Sequence, residues 1–185
     1  MRLIFSTLML IFISLSGKSQ FHMGINSGSS SWLGVQVGYS INENLHLGVS
    51  LHPSFDAANF SGFYGGYARK TFGETELFSI GDWRWTMRPL VFGTLGIIPG
   101  ITSTSFSSSF QVISTTTKSE FGGSVGGGIE LMWGKNAKIA TPIEIGVGKM
   151  PSVFSSINNL LTQNQKTTST LYFNSGIRLY LGNRK

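Results

Sequence analysis

Apolar residues alternate with small or polar residues along most of this chain. In the clearest run, residues 31–41, Leu33 and Val35 lie on one face of an extended chain, and Gly34 and Gln36 lie on the other. A period of two is typical of β-strands, because successive side chains point to opposite faces of the sheet. Runs of about ten residues at this period, bounded by turn residues, are typical of strands that cross a membrane in a closed barrel.

The chain divides into a series of such runs. Strands are predicted at residues 21–26, 31–41, 45–55, 62–72, 82–98, 119–133, 139–150 and 171–181. Because lipid cannot hydrogen-bond an open sheet edge, membrane strands must close on themselves. We therefore predict an all-β fold, an eight-stranded antiparallel transmembrane β-barrel with an up-and-down meander. The facing of residues 62–72 is ambiguous, and residues 77–98 are long for one strand, so ten strands remain an alternative.

The connections between the predicted strands differ in length on the two sides of the barrel. If the chain starts on the periplasmic side, the turns at 42–44, 73–81 and 134–138 are periplasmic, and the longest connections, 99–118 and 151–170, are outer loops. Short inner turns and long outer loops are typical of bacterial outer-membrane barrels.

Two features are predicted inside the outer loops. Weak alternation over residues 103–118 predicts a protruding hairpin, and apolar residues at helical spacing in 152–161 predict a short helix. Such features can bind a partner or cover the mouth of the barrel.

The first residues have the pattern of a secretory leader. Arg2 precedes an apolar core, and the small residues Gly17 and Ser19 follow it. The core is shorter than the roughly 20 apolar residues of a spanning helix, so residues 1–19 are predicted to be a signal peptide, cleaved before Gln20. Residues 20–185 then form the barrel domain.

The amino-acid composition favours a membrane barrel over a secreted soluble barrel. Charged residues make up 12% of the chain, about half of the ~25% that is usual for soluble domains. The polar faces of the second, third, sixth and eighth predicted strands are mostly Gly, Ser, His, Gln and Asn, which suits a narrow interior better than the water-facing surface of a secreted soluble barrel. The basic residues are scattered, so no nucleic acid is predicted as a partner. There is no cysteine and hence no disulfide framework.

The last predicted strand carries a more specific pattern. Asn174, Gly176, Leu179 and Leu181 occur in the order polar, any, Gly, any, any, apolar, any, apolar. With this pattern, the chain resembles the small bacterial outer-membrane β-barrel (porin-like) family, in its eight-stranded class. The resemblance implies that these four residues are an assembly signal for the barrel assembly machinery, and that the protein is located in the outer membrane.

Few charged residues lie at positions predicted to face the lumen. They are Arg84, Arg88, Glu130, Glu144 and Arg178. Because buried charges must be paired, we interpret them as an ionic plug that cross-links the strands. A selectivity ring in a small pore is the alternative, although eight strands leave room for little more than side chains.

The histidines of the third predicted strand are weak evidence for a metal site or for a hydrolase site. His46 and His52 share a strand face but lack a convincing third partner, so no metal and no cofactor are predicted. His52 and Ser54 also share a face, as in barrel enzymes that deacylate lipid A, but only Asp56 could orient the histidine.

We therefore expect a monomeric, non-enzymatic outer-membrane barrel in contact with the lipid bilayer. Its role is predicted to be structural, or to be an interaction with an extracellular partner through the outer loops. A small diffusion pore is the first alternative, and a lipid-modifying hydrolase is the second.

Overall fold

The fold is known from a computed structural model that describes part of the chain. The described residues are 20–29, 31–56, 59–100, 102–106, 112–116, 118–135, 138–150 and 169–181. The predicted signal peptide, residues 1–19, and the predicted helix at 152–161 lie outside these ranges.

Most of the described residues lie in β-strands. In chain order these are β1 (Gln20–Gly28), β2 (Ser31–Ser40), β3 (Leu45–Asp56), β4 (Asn59–Thr71), β5 (Thr75–Ile80), β6 (Trp83–Ile98), β7 (Thr102–Phe106), β8 (Val112–Thr116), β9 (Glu120–Lys135), β10 (Ile139–Met150) and β11 (Ser169–Leu181). No segment within these ranges is a helix long and apolar enough to cross a membrane.

Eight of the strands close into one ring. Going around it, the order is β4, β3, β2, β1, β11, β10, β9 and β6, and β6 pairs with β4 to close the circle. Every pairing in the ring is antiparallel, and successive ring strands lie side by side, while the first and last strands, β1 and β11, pair with each other. The predicted all-β, eight-stranded, up-and-down barrel is confirmed.

Strand β5 corrects one detail of the prediction. Residues 73–81, predicted as a turn, contain this extra strand, which pairs with the first half of β6 outside the ring. Strand β6 changes partner along its length, from β5 at Met87 to β4 at Leu90. Pro89 lies at this junction, and its carbonyl oxygen accepts a hydrogen bond from the backbone N–H of Phe72 (2.9 Å). The length that suggested ten strands is therefore a hairpin that extends one wall of the barrel.

The turns are built from residues with local hydrogen-bonding or conformational preferences. Between β2 and β3, the Oδ1 atom of Asn42 accepts hydrogen bonds from the backbone N–H groups of Asn44 (2.9 Å) and Leu45 (2.8 Å), which closes an Asx turn. Gly81, with φ of 57°, makes the tight turn between β5 and β6. We call this side of the barrel the turn end, and the opposite side the loop end.

The loop end carries a second, smaller sheet. Strands β7 and β8 pair antiparallel from Thr102↔Thr116 to Phe106↔Val112. This is the hairpin predicted within residues 103–118, and it forms a two-stranded sheet of its own rather than a continuation of β6 and β9.

The two faces of the ring differ sharply in chemistry. Large apolar side chains point outward and are exposed, among them Val49, Phe121 and Ile145. Polar and charged side chains point inward and are buried, as the alternation predicts. Strand β4, whose facing was ambiguous in the sequence, also alternates between the two faces of the ring. Its lumen-facing residues are Phe63, Tyr67, Arg69 and Thr71.

Candidate functional site

Glu130 is the centre of the largest polar cluster in the lumen. Its carboxylate accepts hydrogen bonds from Arg88 Nε (2.7 Å), Arg178 Nη1 (2.7 Å) and Tyr180 Oη (3.1 Å). Glu130 is fully buried, and both arginine side chains are at most 3% exposed. We call Arg88, Glu130, Arg178 and Tyr180 the Glu130 cluster. It connects β6, β9 and β11, so charge pairing crosses the barrel rather than following one strand.

Further hydrogen bonds tie the Glu130 cluster to the rest of the barrel. Arg88 Nη2 donates to Tyr180 Oη (3.0 Å), and Arg88 Nη1 donates to the carbonyl oxygen of Glu43 in the β2–β3 turn (3.2 Å). Arg178 Nη2 donates to Gln36 Oε1 on β2 (3.0 Å). Charge-assisted hydrogen bonds are about twice as strong as neutral ones, so these contacts hold the arginines in fixed positions.

A second polar cluster surrounds Glu144. Arg69 Nη2 donates a hydrogen bond to Glu144 Oε1, and Asn174 Nδ2 donates one to Glu144 Oε2 (2.8 Å). All three residues are at most 2% exposed. We call Arg69, Glu144 and Asn174 the Glu144 cluster, and it joins β4 to β10 and β11.

Histidines fill the lumen between these clusters and the β1–β4 wall. A 2.6 Å hydrogen bond joins His22 Nε2 to Tyr67 Oη, and a 2.7 Å bond joins Ser40 Oγ to His46 Nδ1. Gly38 makes the first contact possible, because a Cβ atom there would collide with the Tyr67 hydroxyl group and lie 2.7 Å from His22 Nε2. The inward glycine therefore makes room for larger polar side chains.

Buried apolar side chains also occupy the lumen, in two clusters. Met132, Ala140 and Tyr180 form a buried cluster near the turn end. A larger buried cluster extends towards the loop end and consists of Phe63, Leu90, Phe92, Ile98, Met150 and Tyr172. Charged and apolar side chains thus share the lumen, since Ala140 of the smaller apolar cluster is paired with Arg178.

Four of the five charged residues predicted to face the lumen are inside it. Arg88, Glu130 and Arg178 come together in one cluster, and Glu144 belongs to the other. Arg84 is different: its side chain is 63% exposed and lies 3.8 Å from Glu76 of β5. Its strand face was predicted correctly, but β6 extends past the ring at this point, so that face meets solvent rather than the lumen.

Arg69 is a lumen charge that the sequence reasoning missed. The glycines and tyrosines around it do not alternate clearly, so the facing of β4 could not be read from the pattern. The β3–β4 register pairs His46 with Arg69, and directly paired residues lie on the same face of a sheet. The inward prediction for His46 would therefore have assigned Arg69 to the lumen, had the β3–β4 turn been located.

The residues predicted as an assembly signal lie on β11. Leu179 and Leu181 are exposed on the outer face, Asn174 points into the lumen, and Gly176 pairs with Asn26 of β1. The pattern therefore lies on the strand that joins the two ends of the chain in the ring.

His52, on which an enzymatic interpretation depends, is buried. Its side chain is 1% exposed and contacts Phe63, with ring centroids 6.0 Å apart. The side chain of Ser54 lies outside the described part of the structure. Within the described residues, no group of three or more His, Cys, Asp or Glu side chains could hold a metal ion.

No known protein family matches this chain, and no curated protein matches its sequence. The functional argument therefore depends on the barrel itself.

Proposed function

We propose that this protein is a non-enzymatic β-barrel of the bacterial outer membrane that has a structural or interaction role through its outer loops. The observation that carries the proposal is the distribution of polarity in the ring. Large apolar side chains are exposed on the outside, and charged side chains are buried inside. A soluble barrel has the opposite arrangement, because water would face its outer surface.

The height of the apolar outer face supports a bilayer environment. On β10, which begins at Ile139, the outward residues before the charged Lys149 are Ile139, Thr141, Ile143, Ile145 and Val147. At a rise of about 3.4 Å per residue and a tilt of about 40°, Ile139 to Val147 spans about 21 Å along the barrel axis. The apolar band of outer-membrane barrels is about 25 Å tall.

Aromatic residues at the turn end support the same environment. Phe78 stacks on Trp85 with ring centroids 5.3 Å apart, and Trp85 stacks on Trp133 at 5.6 Å. The row crosses β5, β6 and β9 on the outer face. Outer-membrane barrels carry aromatic residues where the apolar band meets the lipid headgroups, so this row is consistent with the periplasmic interface.

The filled lumen favours a closed barrel over a pore. The Glu130 and Glu144 clusters lie inside it together with two clusters of buried apolar side chains. An ion crossing this lumen would have to displace paired charges. Recognition is therefore assigned to the outer loops, which include the β7–β8 hairpin.

Two measurements test the proposal. The expressed chain should be recovered in the outer-membrane fraction, and recovery as a buffer-soluble periplasmic protein would reject the membrane location. The purified protein should give almost no conductance in planar lipid bilayers, whereas a large, stable, ion-selective conductance would establish the pore instead.

Loop exchange tests the interaction role. Replacing residues 99–118 or 151–170 with a short turn should leave membrane assembly intact, because loops contribute few barrel contacts. A matched replacement of residues 136–137, which connect β9 to β10, serves as a control for the other end. Loss of assembly on shortening an outer loop would show that the loop has a folding role.

A further inference from the structure

The buried charges of the lumen do not balance. Within the described residues, the buried arginines are Arg69, Arg88 and Arg178, and the buried carboxylates are Glu130 and Glu144. A guanidinium group does not lose its proton in a protein. The lumen therefore carries three positive charges against at most two negative ones, and any protonated histidine would only add to the excess.

Some arginine N–H groups in the lumen also donate to no protein atom. They are Nε and Nη1 of Arg69 and Nε of Arg178, and all three atoms are buried. Arg69 uses only Nη2, towards Glu144, and its guanidinium lies 5.5 Å from the centre of the Tyr67 ring. A buried donor without an acceptor is costly, and a buried charge without a counter-charge is more costly still.

Neutral donors lie in the same stretch of lumen. Ser50 Oγ and Asn26 Nδ2 are buried without a partner. Ser50 is paired with Gln36, the residue that accepts a hydrogen bond from Arg178. Asn26 is paired with Gly176, two residues before Arg178 on β11. A hydroxyl on β3 and an amide N–H on β1 are thus also buried in the lumen without an acceptor.

We propose that the lumen binds one small inorganic anion of the size of chloride, with Nη1 of Arg69 as its principal ligand. One bound monovalent anion balances the excess charge and gives Nη1 of Arg69 an acceptor. The anion must be small, because an eight-stranded barrel has little space and buried apolar side chains share the lumen. This inference depends on the barrel interior and not on the membrane location of the protein.

The test is the thermal stability of the refolded full chain in detergent micelles at constant ionic strength, with chloride exchanged for the much larger gluconate ion. A ligand that binds only the folded state stabilises it by mass action. Well above the dissociation constant, each tenfold rise in chloride should therefore raise the folded-to-unfolded ratio about tenfold. Equal stability in chloride and gluconate would overturn the proposal.

Three variants test whether the chloride dependence of stability arises at Arg69. Arg69→Gln removes the excess charge, so its chloride dependence should disappear, whereas Glu144→Gln leaves a larger excess and should keep or strengthen it. Arg84→Gln is the matched control, because this arginine is exposed outside the ring, and it should keep the wild-type dependence. An unchanged chloride dependence in Arg69→Gln would also reject the site.

A direct measurement remains decisive if Arg69→Gln does not fold. Crystals of the wild-type protein grown with bromide in place of chloride should give an anomalous peak beside the Arg69 guanidinium. Bromide confined to the outer surface, with none in the lumen, would show that the lumen holds no anion.

Discussion

Glu130→Gln should destabilise the barrel strongly, because it removes the only carboxylate of the Glu130 cluster. The side chain keeps its shape, but the negative charge shared by Arg88 and Arg178 is lost. Each charge-assisted hydrogen bond contributes about 1.5–3 kcal/mol, and removing one partner of a buried ion pair costs about 3–5 kcal/mol. We therefore expect the free energy of unfolding to fall by about 3–5 kcal/mol.

The assay is guanidinium-induced unfolding of the refolded chain in detergent micelles, followed by tryptophan fluorescence and far-UV circular dichroism. Glu120→Gln is the matched control, because Glu120 pairs with Lys149 while both side chains are nearly half exposed. Exposed pairs contribute about 0–1 kcal/mol, so this control should change little.

A double-mutant cycle with Arg88→Met separates pairing from packing. If the two residues act as a pair, the cost of Arg88→Met should be smaller in the Glu130→Gln background, with a coupling of about 0.5–3 kcal/mol. If Glu130→Gln stays within about 1 kcal/mol of the wild type, the lumen charges do not hold the barrel together and the plug interpretation is wrong.

Other predictions address packing, facing and processing. Gly38→Ala should destabilise the barrel by about 1–3 kcal/mol through overpacking against Tyr67, whereas Gly93→Ala, with 4.0 Å to its nearest neighbour, should be nearly neutral in the same unfolding assay. Ile145→Arg should lower the free energy of unfolding in lipid vesicles by about 2–4 kcal/mol, whereas Ile145→Ser should lower it only a little. Equal effects of the two variants would contradict a mid-membrane position. Mass spectrometry of the membrane fraction should find a chain that starts at Gln20, and mainly uncleaved protein would exclude the leader.

The sequence alone was sufficient for the fold class and for most of the facing. On β3, His46 and His52 face inward and Leu47 and Leu51 face outward, as their alternation predicts. The reason is that a strand's period of two is a local property. Each residue's face follows from its neighbours in the chain, so no knowledge of partner strands is needed. The turn at Asn42 is local for the same reason, since its side chain bonds the backbone two and three residues later.

Only the tertiary structure decided which charges meet. Arg69 and Glu144 are 75 residues apart in the chain, and their contact depends on ring closure and on the register of every strand between them. Arg84 shows the same limit, because its exposure depends on where β4 ends beside β6. Strand pairing is non-local, and a shift of register changes every contact across the lumen. The periodicity of the sequence therefore determined the barrel, whereas its closure determined the arrangement of charges inside it.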